Sequence, residues 1–286
     1  MSRRLFHVRL LSPTTEYMTK VASFARLRDG GTTWALGALK GDDAALERLG
    51  SALMQRWRPG DRLVVLGNML GAAGNTPRTI DLMLLLRRRL LARPGAEVED
   101  FVFLRGPQEE IWHKALQLQF ALAPLDVLDW MLSRGLTAII EGYGHSIAEG
   151  RIASRNGSLA IARWTSGLRE RQATWPGHSD LLNALSRAAL SADGRLVFAA
   201  TGVDPGRPLD GQADAFWWST QSDAVLDEAL GKARDGGWPT VDRVVRGTGP
   251  ARNVAQDAGR VLTVTRGTPA LVALDADGAV LERIEP

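Results

Sequence analysis

The sequence predicts an α/β fold with two packed sheets, and three observations carry that prediction. Strand-like and helix-like segments alternate from Thr32 to about Glu109, helical patterns dominate from there to about Ser191, and the remainder is rich in β-branched and alternating runs. At 286 residues and 45% hydrophobic, the chain is long and apolar enough to bury a large core.

Residues 1–31 come first and read as an irregular basic arm ending at the turn Asp29–Gly31. Its opening, "MSRRLFHVRLLSP", has a positive start, but His7 and Arg9 interrupt the apolar stretch that a signal peptide needs. The domain then spans 32–286. "TTWALGAL", Thr32 to Leu39, is a short apolar strand closed by Gly37 and Gly41. After it Leu46, Leu49, Leu53 and Trp57 share one face of a helix that Asp42 or Asp43 can cap. "RLVVLG", Arg62 to Gly67, is a second strand, and its loop "NMLGAAGN" leads to a helix for which Thr76 is the expected N-cap and Pro77 the first helical residue. "FVFL", Phe101 to Leu104, is the third, turning through Arg105, Gly106 and Pro107 into a helix opened by Glu109 and Glu110. Three strands joined by helices imply a parallel sheet with its loops gathered at the strands' carboxyl ends, where ligands bind in such folds.

The stretch 109–191 reads as a helical insertion through "IWHKALQLQFAL", "PLDVLDWMLSRG" and "SDLLNALSRAAL". Beyond it "GRLVFAATG", "VDRVVRGTG", "GRVLTVT" and "PALVALDADGAVLERIE" are strand-like, the last holding the turn signal "DADG" between two alternating runs. These four are expected to form a second sheet packed on the first.

Composition removes several classes of function. There is no cysteine, which excludes disulfides, thiolate metal sites and cysteine nucleophiles and favours a cytoplasmic location. His7, His113, His145 and His178 are scattered. No apolar run approaches the ~20 residues that span a bilayer. The pI of about 9.7 comes from cations that are nearly all arginine, a bias that genome composition explains as well as anion binding does. Nucleic acid is not an expected partner: "LLLRRRLLARP" has no aromatic interleaving, and cations at a helix C-terminus are favourable in their own right.

The ends of the strands carry a resemblance. "LGALKG", "LGNMLGAAG", "FLRGPQEE", "AATGVDPGRPL" and "VVRGTGP" fall in the order and spacing of the motif loops of the calcineurin-like metallophosphoesterases, most closely the bacterial serine/threonine-phosphatase-like branch. That family carries G-D-x-H-G, G-D-x-x-x-R-G-P, L-R-G-N-H-E, H-A-G and G-H-T-P in those places. "WMLSRGLTAIIEGYG" and "PGRPLDGQADAFWW" resemble two further family segments outside the catalytic loops. The resemblance covers about Thr33 to the C-terminus and implies two packed mixed sheets flanked by helices, an αββα sandwich, together with a two-metal phosphomonoesterase centre.

Carried over residue by residue, that centre is degenerate. Ala38 and Lys40 stand where the first Asp and its His belong, and Asn68 replaces the bridging Asp. Pro107 replaces the Asn ligand and Gln108 the acid histidine, Ala200 and Thr248 replace the late histidines, and Ala72 replaces a phosphate-binding arginine. Alanine and proline offer no lone pair, threonine and asparagine only neutral oxygens, and lysine a cation, so no metal or other cofactor is expected.

Other chemistries have thinner support. Glu109 and His113 at i and i+4 could pair as ligands, although a surface pair or a core-covering histidine is the commoner outcome. His145, near Glu141 and Glu149, lies in a Gly-flanked loop that could approach the former site, but no second histidine accompanies it. Ser146, Ser158 and Thr165 lack a nucleophile-elbow context. Lys40, Asn68, Arg105 and Arg246 come from the motif loops and, if they converge, could bind a phosphate or carboxylate without metal. Nine tryptophans, with Trp112, Trp175, Trp217, Trp218 and Trp238 near expected loops or helix edges, point instead to an interaction surface. The sequence therefore reads as a pseudophosphatase that binds a protein partner, with scaffolding, regulation or oligomer formation as its role. Metal-free anion binding is the alternative, and a hydrolase with a relocated site the more remote one.

Overall fold

The computed structural model describes residues 24–212, 214–233, 240–250 and 259–286. Residues 1–23, Trp238 and the segment 251–258 lie outside this description. Strands β1 (Ala25–Arg26), β2 (Thr33–Leu36), β3 (Arg62–Val65), β4 (Phe101–Phe103), β5 (Ala189–Leu190), β6 (Leu196–Ala199), β7 (Arg243–Thr248), β8 (Val261–Thr265), β9 (Leu271–Leu274) and β10 (Val280–Ile284) form two five-stranded sheets. The first has the order β10-β9-β2-β3-β4, the second β1-β5-β6-β7-β8. Both are mixed: β2, β3 and β4 run parallel with β9 antiparallel to β2, while β6, β7 and β8 run parallel with β5 antiparallel to β6.

The helices are α1 (Asp43–Arg56), α2 (Thr76–Leu91), α3 (Pro107–Ala115), α4 (Pro124–Met131), α5 (Thr137–Gly142), α6 (Ile147–Arg155), α7 (Ser158–Ala173), α8 (His178–Asn183), α9 (Ala215–Trp218) and α10 (Asp223–Ala233). Period-2 side chains from facing strands, among them Ala35, Val64, Leu66, Phe198, Val245 and Val264, fill the space between the sheets. Trp34, Leu36, Leu63 and Val65 turn the other way and pack beneath the helices, including Leu46, Leu49, Leu53, Ile80 and Met83. Val197, Val244 and Val261 cover the outer face of the second sheet with Leu226 and Leu230 of α10. The layers are helix, sheet, sheet, helix, as the sequence predicts.

Four local expectations are corrected. Ala25 and Arg26 are not part of an irregular arm; they pair in parallel with Ala189 and Leu190. The C-terminal hairpin around "DADG" forms, but β9 joins the first sheet beside β2 rather than the second. Asn75, not Thr76, caps α2: its side chain accepts from the Arg78 amide, and Thr76, the first helical residue, donates its hydroxyl back to the Gly71 carbonyl. "SDLLNALSRAAL" does not continue as helix; α8 stops at Asn183 and Ala189–Leu190 become a strand, because a short apolar run satisfies either period and the gap between β1 and β6 requires a strand there.

Candidate functional site

The loops leaving β2, β3 and β4 meet one another through backbone atoms. The amides of Leu39 and Lys40 both donate to the Asn68 carbonyl, at 3.0 and 2.7 Å, and the Gly41 amide donates to Met69 O at 2.8 Å. Lys40 (φ 55°) and Asn68 (φ 53°) are the two non-glycine residues with left-handed backbone among the described residues. A left-handed conformation costs an L-residue roughly 1–2 kcal/mol, and retained strain of this kind clusters at functional sites.

Glu109 ties the second loop to the third. Its carboxylate accepts from the amides of Asn68 (2.8 Å), Leu70 (3.0 Å) and Gly106 (2.9 Å) while it sits fully enclosed at the start of α3. Burial pushes its carboxyl above the usual range, and the three amide donors pull the other way. The Asn68 side-chain oxygen accepts from the Gln108 amide at 3.1 Å. On the second sheet, Thr248 N donates to Ala200 O at 3.0 Å. A Cβ at Gly247 would stand 2.6 Å from Leu66 O and 3.1 Å from Ala200 O, so only glycine lets the ends of β7 and β3 approach this closely. Five loops from two sheets thus converge on one crown.

The sequence-predicted ligand positions are brought together, but their side chains do not form a metal centre. Ala38 and Ala200 are buried methyl groups, Pro107 has no donor, Lys40 is exposed, Thr248 offers a hydroxyl and Asn68 Oδ1 is already engaged. Among the described residues no group of three or more His, Asp or Glu side chains is placed to hold a cation. Two divalent ions need several anionic or imidazole donors, and this set does not fit them.

The four expected anion-binding groups do not all face the crown. Arg246 is fully buried and directed inward: Nη2 donates to Asp223 Oδ1 at 2.6 Å, Nε to Thr263 Oγ1 at 2.8 Å, and Nη1 to Thr201 O and Gln221 O at 3.0 and 2.9 Å. With its donors so committed, Arg246 is unsuited to the expected role. Arg105 is half-buried and pairs with Glu110 at 3.2 Å. Glu109 and His113 do not act together either, since Glu109 spends both oxygens on amides while His113 Nε2 lies 3.0 Å from Gln117 Nε2. Burial, with Arg105 nearby, holds His113 below the ordinary histidine range. His145 packs against Gly167 of α7 instead of reaching the crown.

A neighbour from outside the motif loops is Trp130, the first residue of "WMLSRGLTAIIEGYG". It is 42% exposed on α4, its ring meets that of Trp218 at 6.1 Å, and the Arg134 guanidinium lies 5.0 Å over it. The chain kinks just beyond, at Gly135 (φ 101°), which lets the Arg134 carbonyl accept from Gln108 Nε2 at 2.8 Å. The segment after α4 therefore braces against Gln108. Trp112 and Trp217, by contrast, are core residues; Trp112 Nε1 donates to Gln172 Oε1 at 2.6 Å.

The chain superposes on a candidate diadenosine tetraphosphatase with a TM-score of 0.52 at 16% identity, covering 92% of this chain and 98% of that one. A cold-active protein tyrosine phosphatase matches with a TM-score of 0.53 at 12% identity over 93% of this chain and 82% of that chain. The fold is a calcineurin-like phosphoesterase fold. A serine/threonine phosphatase from Saccharomyces cerevisiae, similar to human phosphatase PP5, superposes with a TM-score of 0.50 at 12% identity over 93% of this chain and 85% of that one. No family model matches the sequence, and comparison with curated proteins finds no match either. At these identities the likeness speaks for the phosphoesterase fold and leaves chemistry to the residues themselves. No helix among the described residues is long and apolar enough to cross a membrane.

Proposed function

We propose that this phosphoesterase-fold chain has lost the two-metal chemistry of its fold and works as a pseudophosphatase, by binding a protein partner. The observation that carries the reading is the crown itself. Its loops keep their convergence and two strained residues, while the ligand positions hold Ala38, Lys40, Asn68, Pro107, Ala200 and Thr248. Holding loops in place by Glu109 and by the Arg246–Asp223 pair does the structural work that a metal cluster would otherwise share. Trp130 and Trp218 beside that crown supply the kind of side chain that dominates interface energetics.

The test combines metal content, Mn²⁺ titration followed by thermal unfolding, and p-nitrophenyl phosphate turnover, with capture of partners from the native cell. The expected result is no stoichiometric Mn²⁺, no stabilisation by it and no turnover. Turnover that requires Mn²⁺ and disappears in His113→Ala would return the chain to the enzymes.

A second reading has one observation in its favour: Lys40 is an exposed cation at the meeting point of the first two loops. On this reading Lys40 and Asn68 would hold the anion, with Arg105 joining them only by leaving its partner Glu110. Stabilisation by millimolar phosphate in the wild type, lost in Lys40→Ala, is its test.

A further inference from the structure

Among the described residues the outer edge of the first sheet is open at one place along β4, and the register identifies the open groups. The Leu104 amide donates to Val65 O, so even-numbered residues of this segment face β3 and odd-numbered ones face outward. On the outer side, the Ser186 amide donates to Phe103 O at 2.9 Å, the Arg105 amide to Ser186 O at 2.8 Å, and the Phe101 amide to Val98 O. The Phe101 carbonyl and the Phe103 amide have no backbone partner among the described residues. They are the pair that a parallel strand would take with the residue two before Ser186. Among the described residues none supplies it, because Ala184 still caps α8, its amide donating to the Asp180 and Leu181 carbonyls.

A groove of about 600 Å³ lies at this place, bounded by β4 of one sheet and β1 of the other. In β1 the Ala25 and Leu27 amides donate to Ala188 and Leu190 carbonyls, so Arg26 turns its own backbone outward, on the groove side. Edges of both sheets therefore border one cleft. Its apolar wall includes Leu84 and Leu181, and its charged residues are of both signs, Arg26 and Arg87 against Glu99 and Asp180.

We infer that the partner docks here, by laying an extended segment along β4 as an added parallel strand. The inference rests on the partner-binding reading above and names its surface. An open carbonyl and amide spaced as a strand pair select an extended main chain, and edge pairing of this kind supplies affinity through the backbone while pockets select the side chains. The segment alternates, with apolar side chains toward Leu84 and Leu181. Rim charges of both signs disfavour a strongly acidic or strongly basic strand.

The experiment uses the full chain and a defined probe. A phage-displayed library of random linear decapeptides is panned against it, and the strongest peptide is synthesised. Its binding is expected to weaken at least tenfold toward Ala184→Trp, an exposed position where bulk fills the groove without entering the core. It stays unchanged toward Leu85→Trp, which bulks the separate cleft between α1 and α2. N-methylation of the peptide abolishes binding at one residue only, the one whose amide meets the Phe101 carbonyl, and the Phe103 amide, fast to exchange in the free chain, becomes protected. No enriched peptide, indifference to Ala184→Trp, or uniform tolerance of N-methylation overturns the inference. So does a fall in oligomeric state in Ala184→Trp, which would assign the edge to a second copy, or a slowly exchanging Phe103 amide in the free monomer, which would assign it to the chain itself. Mn²⁺-dependent turnover by the wild type overturns the underlying reading instead, so the two failures are distinguishable.

Discussion

Replacing Glu109 by alanine leaves the amides of Asn68, Leu70 and Gly106 without an acceptor inside the protein. Each such orphan costs about 1–3 kcal/mol, so Glu109→Ala is expected to lose at least ~3 kcal/mol, read as a lower urea midpoint. Glu109→Gln loses part of this, because its amide nitrogen would face an N–H donor. An unchanged midpoint in both would mean that the staple is dispensable. Arg246→Met leaves Asp223 enclosed without its cation and is expected to cost about 3–5 kcal/mol, most of it regained in the double variant with Asp223→Leu. Lys40→Gly should run the other way: relief of left-handed strain, less glycine's extra unfolded-state entropy, leaves up to about 1 kcal/mol of stabilisation. The sequence makes the crown positions legible because motif loops end strands at fixed spacing. It does not disclose the Arg246–Asp223 pair, since Asp223 lies in no motif and meets Arg246 only through the tertiary fold.

At the scale of elements, α8 is anchored to α2 and α5 through His178. In its neutral form the ring accepts the Tyr143 hydroxyl at Nδ1 (2.9 Å) and donates from Nε2 to Asp81 Oδ1 (3.1 Å), with Trp175 stacked on it at 5.5 Å. Burial lowers the pKa of His178, and the Asp81 hydrogen bond only partly opposes that. The unfolded chain therefore takes up a proton at this residue first. His178 leaves stability intact above its ordinary value of 6.5 and erodes it as the pH falls below 6.5 toward the depressed folded-state pKa. Thermal midpoints measured from pH 7 to pH 5 are expected to fall more steeply in the wild type than in His178→Gln; parallel slopes would remove His178 from the account. The helices of the insertion are legible from their period, whereas β5 is not. Two buried residues are too few to show a period, and their partners, Ala25 and Arg26 on one side and Phe198 and Val197 on the other, are invisible locally.

For the whole molecule, the sequence resolves the layers better than the seam between them. Alternation shows that β9 and β10 form a hairpin, but which edge the hairpin joins is a long-range choice made by packing. The result interlaces the chain. β1, from the amino-terminal side, completes the sheet of the later strands, and β9 with β10, from the carboxyl end, completes the sheet of the early ones. A fragment ending at residue 265 lacks β9 and β10, which leaves β2 as an edge and uncovers Leu36 and Val272's former partner Ala35. It is expected to show no cooperative urea transition by circular dichroism, and a sharp one would mean that the hairpin is ornamental. For a chain emerging from the ribosome amino terminus first, this topology imposes a wait. The second sheet cannot be finished until β8 is made and the first until β10 is made, so the early strands must be sheltered while more than two hundred further residues are added.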